Sequence, residues 1–188
     1  LFLPLISFII LIFFGKKLPR QGDWVAVGSI VTTFILAVYL FVQMLTNYDA
    51  NFSHGASLSW IDIGAFKIDL GILVDNLTIV MLLIVTLVSS CTHIFSLEYM
   101  KGDVRYNRYY AYLGLFTFSM NGIVLADNLI SMYMSWELVG VSSYLLIGHW
   151  FEKDSAANAS KKAFLTNRVG DIGSVSYTHL TLPTTVRV

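Results

Sequence analysis

Residues 128–148 read NLISMYMSWELVGVSSYLLIG, and this stretch decides the fold class of the chain. It contains 21 residues, of which only Glu137 is acidic or basic. About 20 mostly apolar residues are enough for one helix to cross a bilayer. Glu137 follows Asn128 by nine positions, which is about 13 Å along a helix that rises about 1.5 Å per residue. We therefore expect its carboxyl group near the midplane of a hydrocarbon core about 30 Å thick.

A carboxyl group at that depth calls for an explanation. Placing a charge at the centre of a membrane helix costs about 2.5–3.5 kcal/mol on insertion scales, so ionisable residues there mark ion or proton paths. The alternative is a neutral glutamic acid that hydrogen-bonds to a neighbouring helix and stabilises the bundle. The sequence favours the functional interpretation of Glu137.

The composition is that of a membrane protein. Hydrophobic residues make up 56% of the chain and charged residues 13%, whereas soluble domains average about 25% charged residues. The net charge of zero gives no electrostatic support for a nucleic-acid partner. The single cysteine, Cys91, excludes an intrachain disulfide and any multi-cysteine metal site made by this chain alone. No nucleotide-binding loop or nucleophile elbow is present, so the expected chemistry is the movement of small ions.

Further apolar runs predict an all-α, polytopic transmembrane helix bundle with five spans and a truncated sixth. With residues 128–148, the predicted helices cover residues 1–14, 24–45, 77–97, 109–126 and 159–173. The first run could be the core of a signal peptide, but no small-residue cleavage site follows it, so we expect a membrane span clipped at its start. Residues 174–188 are rich in threonine and contain a proline. We predict that this tail is a non-native end.

The loop between the second and third helices contains a pattern typical of strands. Residues 57–75 read SLSWIDIGAFKIDLGILVD, two short runs separated by Gly64 and Ala65. A glycine in the first position of a two-residue turn suits a β-hairpin. In the second run, Phe66, Ile68 and Leu70 would share one face. We predict a small hairpin; an amphipathic interfacial segment is the alternative.

Basic residues predict the orientation of the bundle. Nine of them fall in three connections on one side, and the opposite side has only Lys67. Basic loops stay on the cytoplasmic side of a membrane. The N-terminus is therefore expected to face away from the cytoplasm or matrix. The nine are Lys16, Lys17, Arg20, Lys101, Arg105, Arg108, Lys153, Lys161 and Lys162.

Other polar residues lie in or near the predicted spans. His93 is inside the third span, and Arg168 and Asp171 are three positions apart in the sixth, on one helical face. Lys161 and Lys162 stand at the start of the same helix. Each has a structural alternative: hydrogen-bonded packing for His93, a mutual pair for Arg168 and Asp171, and cytoplasmic anchoring for the lysines, above all Lys161.

Three segments together resemble a known family. They are DNLTIVMLLIVTLVSSCTHIFSLEYM at 75–100, LADNLISMYMSWELVGVSSYLLIGHW at 125–150 and KKAFLTNRVGDIG at 161–173. The combination resembles the antiporter-like large subunits of respiratory complex I, the NADH-quinone oxidoreductase. Large subunits of sodium/proton antiporters share much of it. The resemblance covers roughly residues 60–173.

The resemblance implies a role for each matched residue. Glu137 matches a glutamate of a proton channel, which in the family pairs with a lysine on a later helix. Asp171, Arg168, Lys162 and His93 match polar residues of the same proton-translocating region. It also implies that residues 59–173 form the N-terminal part of the antiporter-like domain. Residues 1–58 then supply the N-terminal helices and the start of the following loop.

The resemblance also implies the partners. It predicts no cofactor in this chain, because NADH, FMN, iron–sulfur clusters and quinone are bound by partner subunits. The expected neighbours are the other membrane subunits of complex I and the lipid bilayer, in a bacterial inner membrane. Two alternatives stay open at this point. One is the large subunit of a multisubunit sodium/proton antiporter, and the other is a truncated fragment with no independent activity.

Overall fold

The apolar runs form helices and the loop between the second and third forms a hairpin, as predicted. The computed structural model describes residues 2–15, 17–47, 49, 52–63 and 66–185. The helices are α1 (Phe2–Phe14), α2 (Asp23–Thr46), α3 (Asn76–Tyr99), α4 (Tyr106–Leu125), α5 (Leu129–Ile147) and α6 (Asp154–Thr185). The strands are β1 (Ser53–Ile63) and β2 (Phe66–Asp75).

Three of the described helices are long and apolar enough to cross a membrane. They are α2 with the short helical turn that precedes it (Pro19–Thr46), α3 (Asn76–Tyr99) and α5 (Leu129–Ile147). The helix predicted at 109–126 is present as α4, but α4 is not among these candidates within the described part of the chain. The physical reason is its position. It is surrounded by other helices, so its polar side chains, such as Asn121 and Ser119, are buried against protein rather than exposed to lipid.

The hairpin is antiparallel and longer than predicted. Strand β1 begins at Ser53, and its last residue, Ile63, pairs with Phe66 at the start of β2. This pairing leaves two residues for the turn, Gly64 and Ala65, which lie outside the described residues. The predicted facing of Phe66, Ile68 and Leu70 is not tested, because nothing is described of the side chains at positions 60–69.

A side-chain cap fixes the point where the hairpin ends and α3 begins. The Asp75 carboxylate accepts a hydrogen bond of 2.7 Å from the backbone N–H of Thr78, which satisfies one of the free N–H groups of the first turn. This bond is the main reason why the pKa of Asp75 lies below its usual value.

The chain divides into two compact units, Leu1–Ser142 and Ser143–Val188. In the first unit, α4 packs along α1 and α3, and α2 packs along α3. Its apolar core includes Leu11, Ala26, Tyr106, Tyr110 and Ala111. The small residues of α4 permit this packing: a Cβ atom on Gly114 would lie 3.1 Å from the hydroxyl of Ser7 on α1.

In the second unit the end of α5 packs against α6. Ser160 lies close to Gly148, and the rings of Tyr144 and Phe164 meet edge to face at 5.7 Å. Helix α6 begins five residues before the predicted start at 159 and continues as a helix to Thr185, through the predicted tail. Helical hydrogen bonds are local and do not require an apolar sequence. The non-native character of 174–188 therefore stays a prediction.

Candidate functional site

Glu137 lies in the middle of α5, as the sequence predicts. The helix begins after Asn128, whose side-chain oxygen accepts a hydrogen bond of 2.8 Å from the N–H of Ser131. Glu137 is half-buried, and the Tyr133 hydroxyl donates a hydrogen bond of 2.6 Å to its Oε1 atom. Residues four apart face the same side of a helix, so the helix itself positions this donor beside the carboxylate.

Helix α5 comes close to α4 at Ser135, on the side opposite Glu137. A Cβ atom on Gly122 would lie 2.7 Å from the Ser135 hydroxyl oxygen, so the missing side chain lets α5 approach α4 closely. Glu137 is two positions after Ser135, which turns it about 200° around the helix. The carboxyl group therefore points away from α4.

His93 lies elsewhere in the same unit, in the interior between α3 and α4. Its side chain is buried, and Nδ1 lies 2.8 Å from the carbonyl oxygen of Ser89. The Tyr110 hydroxyl on α4 donates to the His93 backbone carbonyl at 3.1 Å. The structure thus places His93 and Glu137 in different environments rather than in one cluster.

The remaining predicted residues are all on α6, in the second unit. The guanidinium carbon of Arg168 lies 5.3 Å from the ring centroid of Phe164, a cation–π geometry. Asp171 is buried, whereas the Lys162 side chain is exposed. Arg168 and Asp171 are three positions apart on this helix and share one side of it.

Several buried polar residues were not anticipated from the sequence, Asp23 and Asn121 among them. Asp23, at the start of α2, is only 4% exposed; it receives a hydrogen bond of 3.3 Å from the Tyr106 hydroxyl and lies 3.5 Å from Nε of Arg20. Asn121 on α4 is 1% exposed. An amide inside a predicted span is a signal that could have pointed to Asn121. Asp23 had no such signal, because an acid just before a span looks like a surface charge.

Comparison with known families gives two matches. The family described as NADH-Ubiquinone oxidoreductase (complex I), chain 5 N-terminus, matches residues 60–110. The family described as NADH:quinone oxidoreductase/Mrp antiporter, TM, matches residues 126–175. The second match contains Glu137 and all three α6 residues named above, and the first contains His93.

Individual relatives agree with these matches. The F(420)H(2) dehydrogenase subunit L of Methanosarcina mazei is 44% identical over 170 residues, which is 90% of this chain and 24% of that protein. The chloroplastic NAD(P)H-quinone oxidoreductase subunit 5 of Anthoceros angustus is 44% identical over 174 residues, again 90% and 24%. The chain thus spans about a quarter of the length of these relatives.

A solved structure shares the fold. A chain of the Mrp complex from a Dietzia species superposes with a TM-score of 0.76 at 21% identity. The match covers 97% of this chain and 19% of that chain.

Proposed function

This chain belongs to the family of antiporter-like membrane subunits of complex I, and we propose that it forms part of the proton-translocating unit of an NADH-quinone oxidoreductase. It is an integral membrane protein. The proposal depends above all on Glu137, a carboxyl group in the middle of an apolar helix with a hydroxyl donor on the same face. In this proposal α1, α4 and α6 also cross the bilayer, which would be a bacterial inner membrane.

The position of Glu137 suits a group that alternates between two protonation states. Desolvation in a membrane favours the neutral acid, whereas a nearby cation or a donated hydrogen bond favours the carboxylate. The Tyr133 hydroxyl supplies the hydrogen bond in this chain. The family resemblance implies that a lysine on a later helix supplies the cation. When such a cation approaches or withdraws, the proton affinities of the two groups change together.

The other predicted residues have supporting roles in this proposal. Arg168, placed over Phe164, and the buried Asp171 would adjust the electrostatic potential along the path. Lys162, near the start of α6, would bind or release a proton at one end of the path. His93 would exchange protons in the α3–α4 interior.

The electron-transfer chemistry is assigned to other subunits. NADH, FMN, iron–sulfur clusters and quinone would be bound by partners of this chain in the assembled complex. The chain itself would contact further membrane subunits and lipid. Its contribution is then to couple their redox steps to proton movement.

Glu137→Gln in the full-length protein tests the proposal. In membrane vesicles that contain the assembled complex, we expect proton translocation to fall about tenfold or more, because a barrier increase of about 1.4 kcal/mol suffices for that loss. Glu98→Gln is the matched control, since Glu98 is exposed and pairs with Lys101 at the end of α3. Proton translocation at the parental rate by an assembled Glu137→Gln complex would rule out the proposed role.

A sodium/proton antiporter subunit is the second candidate, because the family matched at 126–175 includes Mrp antiporters. Vesicles of the full-length protein with its partners separate the two. Proton movement that requires NADH oxidation supports the first function, and proton movement driven by a sodium gradient alone supports the second. For the isolated 188-residue chain in liposomes we expect no proton flux, as for a fragment without independent activity.

A further inference from the structure

Polar side chains also connect the basic end of the bundle with its interior, along a route that does not include Glu137. The route starts at Asp23, which is buried beside the exposed side chain of Arg20. The Tyr106 hydroxyl donates to Oδ2 of Asp23 at 3.3 Å. An ionised carboxylate accepts hydrogen bonds and takes up a proton when it becomes neutral. Asp23 is therefore the hydrogen-bonded carboxylate at which the route meets this surface.

Two tyrosines extend the route along α4. The ring centroids of Tyr106 and Tyr110 are 5.0 Å apart, as expected for residues four positions apart on one helix. The Tyr110 hydroxyl donates to the backbone carbonyl of His93 at 3.1 Å, and the two rings are 6.1 Å apart. The phenol groups thus lead from the surface to the backbone of α3 at His93, with the imidazole ring beside them.

His93 is oriented so that it can accept a proton. A carbonyl oxygen is only an acceptor, so the 2.8 Å contact with Ser89 requires Nδ1 to carry the hydrogen. In the neutral ring, Nε2 is then the acceptor. The backbone of α3 therefore selects the tautomer that leaves Nε2 as the basic nitrogen.

Beyond His93, buried polar groups lack protein partners. The Thr117 hydroxyl on α4 donates to the Ser89 hydroxyl on α3 at 3.2 Å. Among the described residues, however, the Ser90 hydroxyl and both polar atoms of the Asn121 amide have no hydrogen-bond partner. A buried polar group left unsatisfied costs about 1–3 kcal/mol. Buried water is the usual way in which proteins satisfy such groups.

We propose that these residues, the α2–α4 relay, hold water at Ser90 and Asn121 and conduct protons from Asp23 through Tyr106, Tyr110 and His93. Each group receives one proton and releases one, so no bond other than O–H and N–H is made or broken. Because the Tyr110 hydroxyl bonds to the backbone carbonyl of His93, the proton passes from Tyr110 to Nε2 of His93 through a bound water. Along α4 the relay extends from Tyr106 to Asn121, about 22 Å at about 1.5 Å per residue. That length is most of a hydrocarbon core about 30 Å thick. The proposal rests on the proposed function of the chain, but it assigns a route distinct from Glu137.

The first test measures water directly and does not depend on pumping. In the full-length protein within its complex, a short pulse of hydroxyl radicals generated from water modifies side chains that contact water. We expect Tyr110 and His93 to be modified, relative to the denatured protein, although both are buried. Ser90→Val should reduce the modification of His93 at least about twofold, because it removes the unsatisfied hydroxyl that holds water one turn away on α3. The buried apolar residues Leu11 and Leu113 provide the baseline, and Tyr110 and His93 at that baseline would overturn the proposal.

The second test measures proton translocation per NADH oxidised. Asp23→Asn and Asn121→Leu should each lower it about threefold or more, an effect of the size expected when one hydrogen-bonded group is lost. Glu98→Gln and Asn158→Leu, both at exposed positions, should leave it unchanged. If Asp23→Asn prevents assembly, Tyr110→Phe replaces it, because this change keeps the ring and removes only the hydroxyl.

The outcomes separate the relay from the function of the whole site. One outcome would overturn the relay and leave the proposed function intact. In it, Glu137→Gln loses pumping, whereas pumping is full in Asp23→Asn, Tyr110→Phe and Asn121→Leu. Full pumping in Glu137→Gln would instead overturn the proposed function. The radical modification of Tyr110 and His93 would then decide the relay by itself.

Discussion

The interior of the α1–α4 bundle and the Glu137 side of α5 both contain polar groups within apolar helices, but they satisfy them differently. In the interior, hydroxyls bond to carbonyls one turn earlier on their own helix: Thr86 to Leu82 at 2.7 Å and Ser119 to Leu115 at 2.7 Å. On α5, the carboxyl group of Glu137 receives its hydrogen bond from a side chain, Tyr133. The interior groups are enclosed by protein. Helix α5, by contrast, is mostly accessible: Ser142 is its one fully buried residue among those described.

This difference has a consequence for function. A hydroxyl that donates to a carbonyl of its own helix stays in that one hydrogen bond. Burying it in an apolar environment costs little free energy, because the bond satisfies its polar atoms. A carboxylate cannot donate a hydrogen bond to a carbonyl of its own helix, so its protonation depends on the charges and hydrogen-bond donors that come near it. We therefore expect the interior to tolerate conservative changes that the Glu137 side does not, apart from the residues of the α2–α4 relay.

The largest effect is expected where the two regions meet. Gly122→Val would place a side chain where Ser135 of α5 already lies, at 2.7 Å from the position of the new Cβ atom. Overpacking of this kind costs about 1–3 kcal/mol, and it would displace α5 together with Glu137. We expect lower thermal stability of the full-length protein in detergent and weaker proton translocation in vesicles.

Two further variants control for helix propensity and for specificity. Gly28→Val on α2 is the matched control, because a Cβ atom at Gly28 meets no atom within 4 Å. Ser135→Gly combined with Gly122→Val should restore part of the stability, since it removes the hydroxyl that the valine would strike. If Gly122→Val and Gly28→Val behave alike, the contact does not position α5.

A smaller effect is expected on the Glu137 side itself. Tyr133→Phe removes the hydroxyl that bonds to Glu137 and keeps the ring. Because one hydrogen bond contributes about 0.5–1.5 kcal/mol, proton translocation should slow roughly two- to tenfold. Tyr99→Phe serves as the control, since Tyr99 is exposed and stacks on Phe95. An unchanged rate would mean that the hydroxyl does not influence the protonation of Glu137.

The two regions also differ in how far the sequence reveals them. The apolar run at 128–148 places Glu137 in the middle of a helix, and the structure has that helix at Leu129–Ile147. Hydropathy suffices there because α5 exposes many apolar side chains, such as Leu129 and Trp136. The hairpin was predictable for a similar reason, since alternation and a two-residue turn are local signals.

The interior could not be predicted in the same way. Asp23 is buried because Tyr106, 83 residues later in the chain, packs on it, and a contact so distant leaves no local pattern. Helix α4 has a mixed sequence because other helices surround it, so its central position is invisible to a hydropathy scale. Hydropathy reports which helices face lipid, and the residues that line an interior become evident only when the helices are packed.

The smallest effect on stability is expected from the side chains that cap the N-termini of α3 and α5. These two caps also give the sharpest comparison of the two regions. Asp75 caps α3 and Asn128 caps α5, each through an N–H three residues later, at 2.7 and 2.8 Å. Replacing either by alanine should lower the free energy of unfolding by about 0.5–1 kcal/mol at pH 7, the lower part of the range for such caps. The measurement is the thermal stability of the full-length protein in detergent.

The pH dependence should distinguish the two caps. The pKa of Asp75 is lower in the folded chain than in the unfolded chain, so its stabilisation is complete above the unfolded-state value of about 3.9 and is lost as the pH falls through the folded-state value. The cost of Asp75→Ala should therefore shrink below about pH 4, whereas the cost of Asn128→Ala should not, because an amide does not titrate there. A cost of Asp75→Ala that stayed constant from pH 7 to about pH 3 would contradict this account, since it would mean that the neutral acid caps α3 as well as the carboxylate does.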